Sequence, residues 1–163
     1  MGSIIFGCLS SNVEEKEYPV AASQYFYHEG VNFVYLDGGY VTLALTATAT
    51  LLGHAHVPAG RGAGTSDAYW LSAAVAGQDK IVVTTDPAAK YLLPCGAAQT
   101  PAITDNDLLC DIIAVNDGTA TTVDIDTSTT DVLKIVDYNG AKYGGPAKSV
   151  VVRINPLKFQ GDT

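Results

Sequence analysis

His54 and His56 form a His-x-His pair, and in a strand residues i and i+2 share a face, so both imidazoles could approach one metal ion. A catalytic zinc commonly takes three protein ligands, and a cupin-like site would place a Glu a few residues later and a further His beyond. Neither follows His56, and the only other histidine is His28. The pair therefore supports a small metal-dependent β-barrel enzyme only as an alternative, and the plainer reading is a satisfied or exposed pair of imidazoles near a loop. Asp105, Asp107, Asp111, Asp117, Asp124, Asp126 and Asp131 form an acidic run with no basic residue among them. Asp105-Asn106-Asp107 starts like a calcium loop but lacks the Gly and the late Glu that shape and close one, so these residues read as turns. Gly60-Arg61-Gly62-Ala63-Gly64-Thr65 fits neither phosphate-binding spacing and reads as a surface loop. Cys8, Cys95 and Cys110 are odd in number and irregularly spaced, which suits small buried hydrophobes rather than a disulfide framework or a zinc site. No nucleophile elbow or Ser-His-Asp spacing stands out, so the expectation is a protein that is not an enzyme and carries no metal or cofactor.

The elements that would carry these residues read as strands. Tyr40–Thr46 alternates, with Val41, Leu43 and Leu45 on one face. Asp37-Gly38-Gly39, Asn116-Asp117-Gly118 and Asn139-Gly140 are turn signals, and each reads as a hairpin joining or ending apolar runs at 31–36, 108–115, 119–125 and 132–138. Lys148–Ile154 is dense in β-branched residues, and 51–57 and 80–85 bring the count to about eight strands. Residues 67–76 could form one short helix capped by Ser66, or a strand through 69–73. The fold class expected is mainly β: a single-domain antiparallel β-sandwich or barrel with an extended N-terminal arm and at most one short helix. The division is an arm at 1–18 and a β-rich domain at 19–163.

The chain has 163 residues, 47% of them apolar, which is enough for one sizeable core, and no apolar run reaches the length of a membrane span. Its 9 basic and 17 acidic residues give a net charge of -8, which argues against nucleic acid and anionic membranes as partners. The charge is segregated. Residues 1–131 hold 4 basic and 15 acidic residues, net -11, and residues 132–163 hold 5 and 2, net +3. The bland account is a final hairpin with solvated lysines, and the other is docking on an acidic protein surface or a second copy. At the N-terminus, Ile4–Leu9 lacks the basic flank and the length of a secretion segment and is expected to remain in the mature protein.

Over roughly residues 40–160, Leu51-Leu52-Gly53-His54-Ala55-His56-Val57-Pro58-Ala59-Gly60, Lys80–Pro87, Tyr91–Pro94, Asp131–Asp137 and Ser149–Pro156 resemble the capsid decoration, or cement, proteins of tailed bacteriophages. The resemblance implies a non-enzymatic β-rich protein, usually trimeric. Such a protein is made in the host cytoplasm, sits on the outer surface of the virion capsid and braces the expanded shell across neighbouring capsomers. Its implied partners are the major capsid protein and copies of itself, with no nucleic acid and no membrane. In that setting Ile4, Ile5, Phe6 and Leu9 would anchor an arm laid on the capsid or a neighbour. Tyr25, Tyr27, Arg153 and Lys158 would contribute to trimer or capsid contacts. A phage tail or host-adhesion β module is the alternative within the structural class.

Overall fold

The computed structural model describes residues 6–58, 69–96 and 99–161. Three layers of antiparallel strand stack on one another. Chain order runs β1 (Gly7–Cys8), β2 (Glu15–Pro19), β3 (Tyr25–Tyr27), β4 (Phe33–Asp37), β5 (Tyr40–Leu43), β6 (Gly53–His56), β7 (Tyr69–Leu71), β8 (Lys80–Thr84), β9 (Tyr91–Pro94), β10 (Leu109–Ile113), β11 (Thr122–Asp124), β12 (Leu133–Asp137) and β13 (Ser149–Ile154). One sheet has the order β1-β9-β13-β12-β10-β11, the second β2-β8-β6-β4-β5, and the third is the β3-β7 pair.

The middle sheet is apolar on both faces, and the pleat explains how. Successive side chains point to opposite sides, so Phe33 packs into the core shared with the six-stranded sheet while Val34 packs into a second core. The first core gathers Phe33, Leu51, Tyr91, Ile112, Leu133, Ile135, Val150, Val152 and Ile154. The second gathers Val20, Val34, Val41, Leu52, Ile81 and Val83 under Phe26 and Trp70, whose rings stack at 5.6 Å across the β3-β7 pair. Both large sheets curl. Val20 bridges Val41, bringing the ends of the second sheet together, and Cys95 bridges Val123 in the first. A single bridge at each place falls short of closing a barrel, so the architecture is a sandwich.

The Gly38-Gly39 turn is the two-residue hairpin the sequence predicts, with φ of 58° and 88° and Asp37 opposite Tyr40. The other two signals join strands through longer connections. β10 and β11 pair through residues 114–121, and β12 reaches β13 through the 3-10 turn Gly140–Tyr143. Of the two readings open for residues 67–76, the structure has the strand, at 69–71, where Trp70 has a buried seat opposite Phe26. One expectation needs correction: the strand expected to run to Thr46 ends at Leu43, and Leu45 is exposed. Within residues 1–18, β1 pairs with β9 and β2 with β8.

Candidate interaction surface

β6 lies between β4 and β8, so it carries His54 into the first core and leaves His56 nearer the rim. The backbone N–H of Asn32 donates to His54 Nδ1 at 2.9 Å, which makes Nδ1 the acceptor and puts the proton of the neutral ring on Nε2. The His56 ring lies 4.7 Å from the His54 ring, centroid to centroid, and its Nε2 is bonded to Thr84 Oγ1 at 2.6 Å. Glu15 Oε1 approaches the same nitrogen to 3.8 Å. Burial, with the neighbouring imidazole adding to it, lowers the His54 pKa to about 3. Burial also lowers that of His56, against the opposing pull of Glu15. The pair is committed to hydrogen bonds within the sheet, and among the described residues no group of three or more His, Cys, Asp or Glu is placed to hold a metal ion. Cys95 and Cys110 are buried thiols whose pKa values burial pushes up, to about 11 for Cys95.

Asp111 shows what the acidic run does. Its Oδ1 accepts from the N–H groups of Thr130 and Asp131 at 3.0 and 2.8 Å, and its Oδ2 accepts from Thr129 at 2.9 Å. Burial alone would raise its pKa, yet these donors outweigh it and hold the carboxyl below the usual carboxylate range. The carboxylate thus fixes the loop that leads into β12. Asp111→Asn loses one charged acceptor and turns an amide N–H towards another N–H. The expected cost is about 2 kcal/mol, read as a lower midpoint in urea unfolding.

The expected contact residues fall in different places. Ile4 and Ile5 lie outside the described residues, as does the Gly60–Thr65 loop. Phe6 is half-buried just before β1. Tyr25 and Tyr27 alternate with the buried Phe26 on the outward side of the third layer, where the Tyr25 ring meets Tyr69 edge-on at 4.9 Å. Lys158 is half-buried, and its carbonyl accepts the Leu51 N–H at 2.9 Å, tying the chain end to the core.

Leu9 and Arg153, by contrast, come together on the outer face of the six-stranded sheet. Leu133, Ile135, Val152, Ile154, Cys110, Tyr91 and Cys8 all face the first core, so alternation turns Lys134, Arg153, Leu109, Lys90 and Leu9 the other way. Lys134 is directly opposite both Arg153 and Leu109. Continuing the β9 registers by one residue sets Lys90 opposite Arg153 on one side and Leu9 on the other. The result is a row, Leu109, Lys134, Arg153, Lys90, Leu9, crossing five strands over roughly 19 Å at about 4.8 Å per strand. Sequence reasoning missed this row. Lys134 reads as a solvated lysine, and the signal that could have found it is a cation alternating with β-branched residues in each of two neighbouring strands.

The second sheet carries a different feature. Glu14 O accepts from Thr85 N and Val20 N donates to Asp79 O, so even-numbered residues of β2 bond to β8 and the N–H and C=O groups of Glu15 and Glu17 point outward. Elsewhere, carboxamides stand in for a missing strand. Gln24 accepts from Leu43 N, Gln160 accepts from Leu36 N and donates to its carbonyl, and Asn116 accepts from Tyr25 N. Beside β2 lies a groove of about 580 Å³ lined by Glu14, Lys16, Tyr18, Leu36, Leu52 and Phe159, among others.

No family model matches this chain, and neither a curated protein nor a solved structure does.

Proposed function

We propose that this chain is a structural, non-enzymatic virion protein that binds the outer surface of a tailed-phage capsid and stabilises the expanded shell by bridging neighbouring capsomers. Its partners in this reading are the major capsid protein and other copies of itself, and it reaches the virion surface after synthesis in the host cytoplasm. The resemblance of residues 40–160 to the cement proteins brings the reading to this chain, and the outward edge of β2 is the observation that carries it. Unpaired strand edges are templates for main-chain pairing, and soluble proteins usually blunt them. Carboxamides do so at β4, β5 and β3, while β2 keeps its outward groups beside a groove with the aromatic floor of Tyr18 and Phe159. Glu15, Lys16 and Glu17 guard this edge against indiscriminate pairing and leave it open to a partner of matching charge. Binding only the expanded shell would stabilise that state by mass action, and many symmetric copies would multiply a modest contact.

The test is co-sedimentation with undecorated, expanded phage shells. Wild-type protein is expected to sediment at a fixed stoichiometry. Deletion of residues 1–12 is expected to weaken binding, and so is Glu17→Pro, which removes an outward N–H without taking a bond from β8. Each loss is expected to be about tenfold or more, because many copies repeat it. Failure of the wild type to sediment with shells would overturn the capsid reading, and unchanged binding of both variants would move the contact away from β1 and β2. The same groove favours a second reading, a tail or host-adhesion module, since aromatic and polar walls together suit a polysaccharide.

A further inference from the structure

Among the described residues, no carboxylate forms an ion pair with the cationic row. Arg153 Nε is buried and has no hydrogen-bond partner, and no ion pair among the described residues involves Lys90, Lys134 or Arg153. Asp137, the acidic residue of the β12-β13 pair, is already engaged: Asn139 N–H, Lys142 Nζ and Tyr143 Oη all donate to it. Like charges directly opposite one another destabilise a sheet, and a buried, unpartnered guanidinium nitrogen adds to that cost. An arrangement of this kind is relieved when carboxylates are brought to it from outside.

The chain itself carries a segment with the complementary pattern. In Ile103-Thr104-Asp105-Asn106-Asp107-Leu108, Ile103 is 69% exposed and Leu108 50%, and two carboxylates lie between them, as three cations lie between Leu109 and Leu9 in the row. This segment runs directly into β10, and the carbonyl of Leu108 accepts the N–H of Ile135. The acidic segment and the basic row therefore adjoin at the β10 end of one surface. Adjoining patches of opposite sign are self-complementary across a two-fold axis, where the first patch of each copy meets the second patch of the other.

We propose that the row Lys134-Arg153-Lys90, with Leu109 and Leu9 at its ends, docks the Ile103–Leu108 segment of a second copy of this chain in a reciprocal two-fold contact. This contact is distinct from the three-fold association that the resemblance implies, and it does not depend on the capsid reading. A second copy fits better than a nucleic acid, because a chain of net charge -8 repels a phosphate polymer at long range and the flanking leucines offer nothing to a phosphate backbone.

Sedimentation velocity of the purified full chain, at about 50 mM and about 500 mM salt, tests the contact. A dimer is expected at low salt, dissociating at high salt. Lys90→Glu, at an exposed position, is expected to weaken the dimer about tenfold or more, and Lys80→Glu, on the other sheet, to leave it unchanged. Adding Asp107→Asn to Lys90→Glu removes the new repulsion and is expected to recover several-fold of the loss; asparagine tolerates the φ of 68° at that position. Thermal midpoints of the variants report whether each is folded. A chain monomeric under both conditions overturns the proposal, as does a dimer indifferent to Lys90→Glu or a double variant with no recovery. Duplex DNA that binds the row in a Lys90-dependent way while copies stay apart overturns it as well.

Discussion

Replacing Gly53 by alanine is expected to abolish folding or lower stability by more than about 4 kcal/mol, in the range reserved for core disruption. Gly53 opens β6 and pairs with Val34, while the next residue, His54, pairs with Thr84. A Cβ built on Gly53 would stand 1.8 Å from the carbonyl oxygen of Thr84. The obstacle is backbone in the middle of a sheet rather than the end of a flexible side chain, so relief requires β6 and β8 to separate. That movement would break the hydrogen bonds of the central ladder and disturb both cores, since Leu52 packs in one and Leu51 in the other. Any soluble product is expected to melt about 10–15 °C or more below wild type. Gly7→Ala is the control: nothing stands within 4 Å of a Cβ there, and the change is expected to stay within about 0.5 kcal/mol. A Gly53→Ala protein with a wild-type melting curve would show that β6 and β8 are not this close.

Acid is expected to destabilise the protein through His54 before the carboxylates titrate. The His54 pKa is near 6.5 in the unfolded chain and about 3 in the folded one, because the buried ring is held neutral. As pH falls below 6.5 the unfolded state takes up a proton that the folded state refuses, so the unfolded state binds more protons and stability declines. The slope approaches about 1.4 kcal/mol per pH unit, and the loss sums to roughly 4 kcal/mol by pH 3. His56 acts in the same direction, since its pKa is also lowered. The depressed carboxyls of Asp111 and Asp137 lose their contribution only as pH falls through their folded pKa values, below the usual carboxylate range. The interval from pH 6.5 to about 4.5 therefore belongs to the imidazoles. Urea unfolding across that interval is expected to show a steep slope in wild type and a much shallower one in His54→Asn, whose Oδ1 can take over the bond from Asn32 N–H. Equal slopes in the two proteins would place His54 in contact with water.

Where local patterning and burial agree, the elements were legible. Phe33–Asp37 and Tyr40–Leu43, joined by Gly38-Gly39, form the hairpin expected at Asp37-Gly38-Gly39, because glycine makes both left-handed turn positions inexpensive. Lys148–Ile154 reads as a well-packed strand, and Ser149–Ile154 forms one, with Val150, Val151 and Val152 fully buried. The short strands were not legible as such, and Tyr69–Leu71 was legible only as one of two readings, helix or strand. Glu15–Pro19 is charged and carries a proline, and Tyr25–Tyr27 and Tyr69–Leu71 are three residues each, too short for a period of two to register. Each is held by tertiary pairing: Glu15–Pro19 lies along β8, and Tyr25–Tyr27 and Tyr69–Leu71 pair with each other over the second core.

The His-x-His pair shows the same division. Alternation correctly put both imidazoles on one face, but nothing local says that the face is the interior, where Asn32 and Thr84 take up their nitrogens. By itself the sequence determined the strand-rich class, the turn positions, the net acidity and its segregation, because those depend on residue types and on neighbours a few positions away. The tertiary structure alone decided which residues meet. Lys90, Lys134 and Arg153 come from distant parts of the chain, and only the order β9-β13-β12 aligns them in one row. That order goes with the packing of Tyr91, Val150, Val152, Leu133 and Ile135 into one core, a constraint on the whole chain that no local pattern carries.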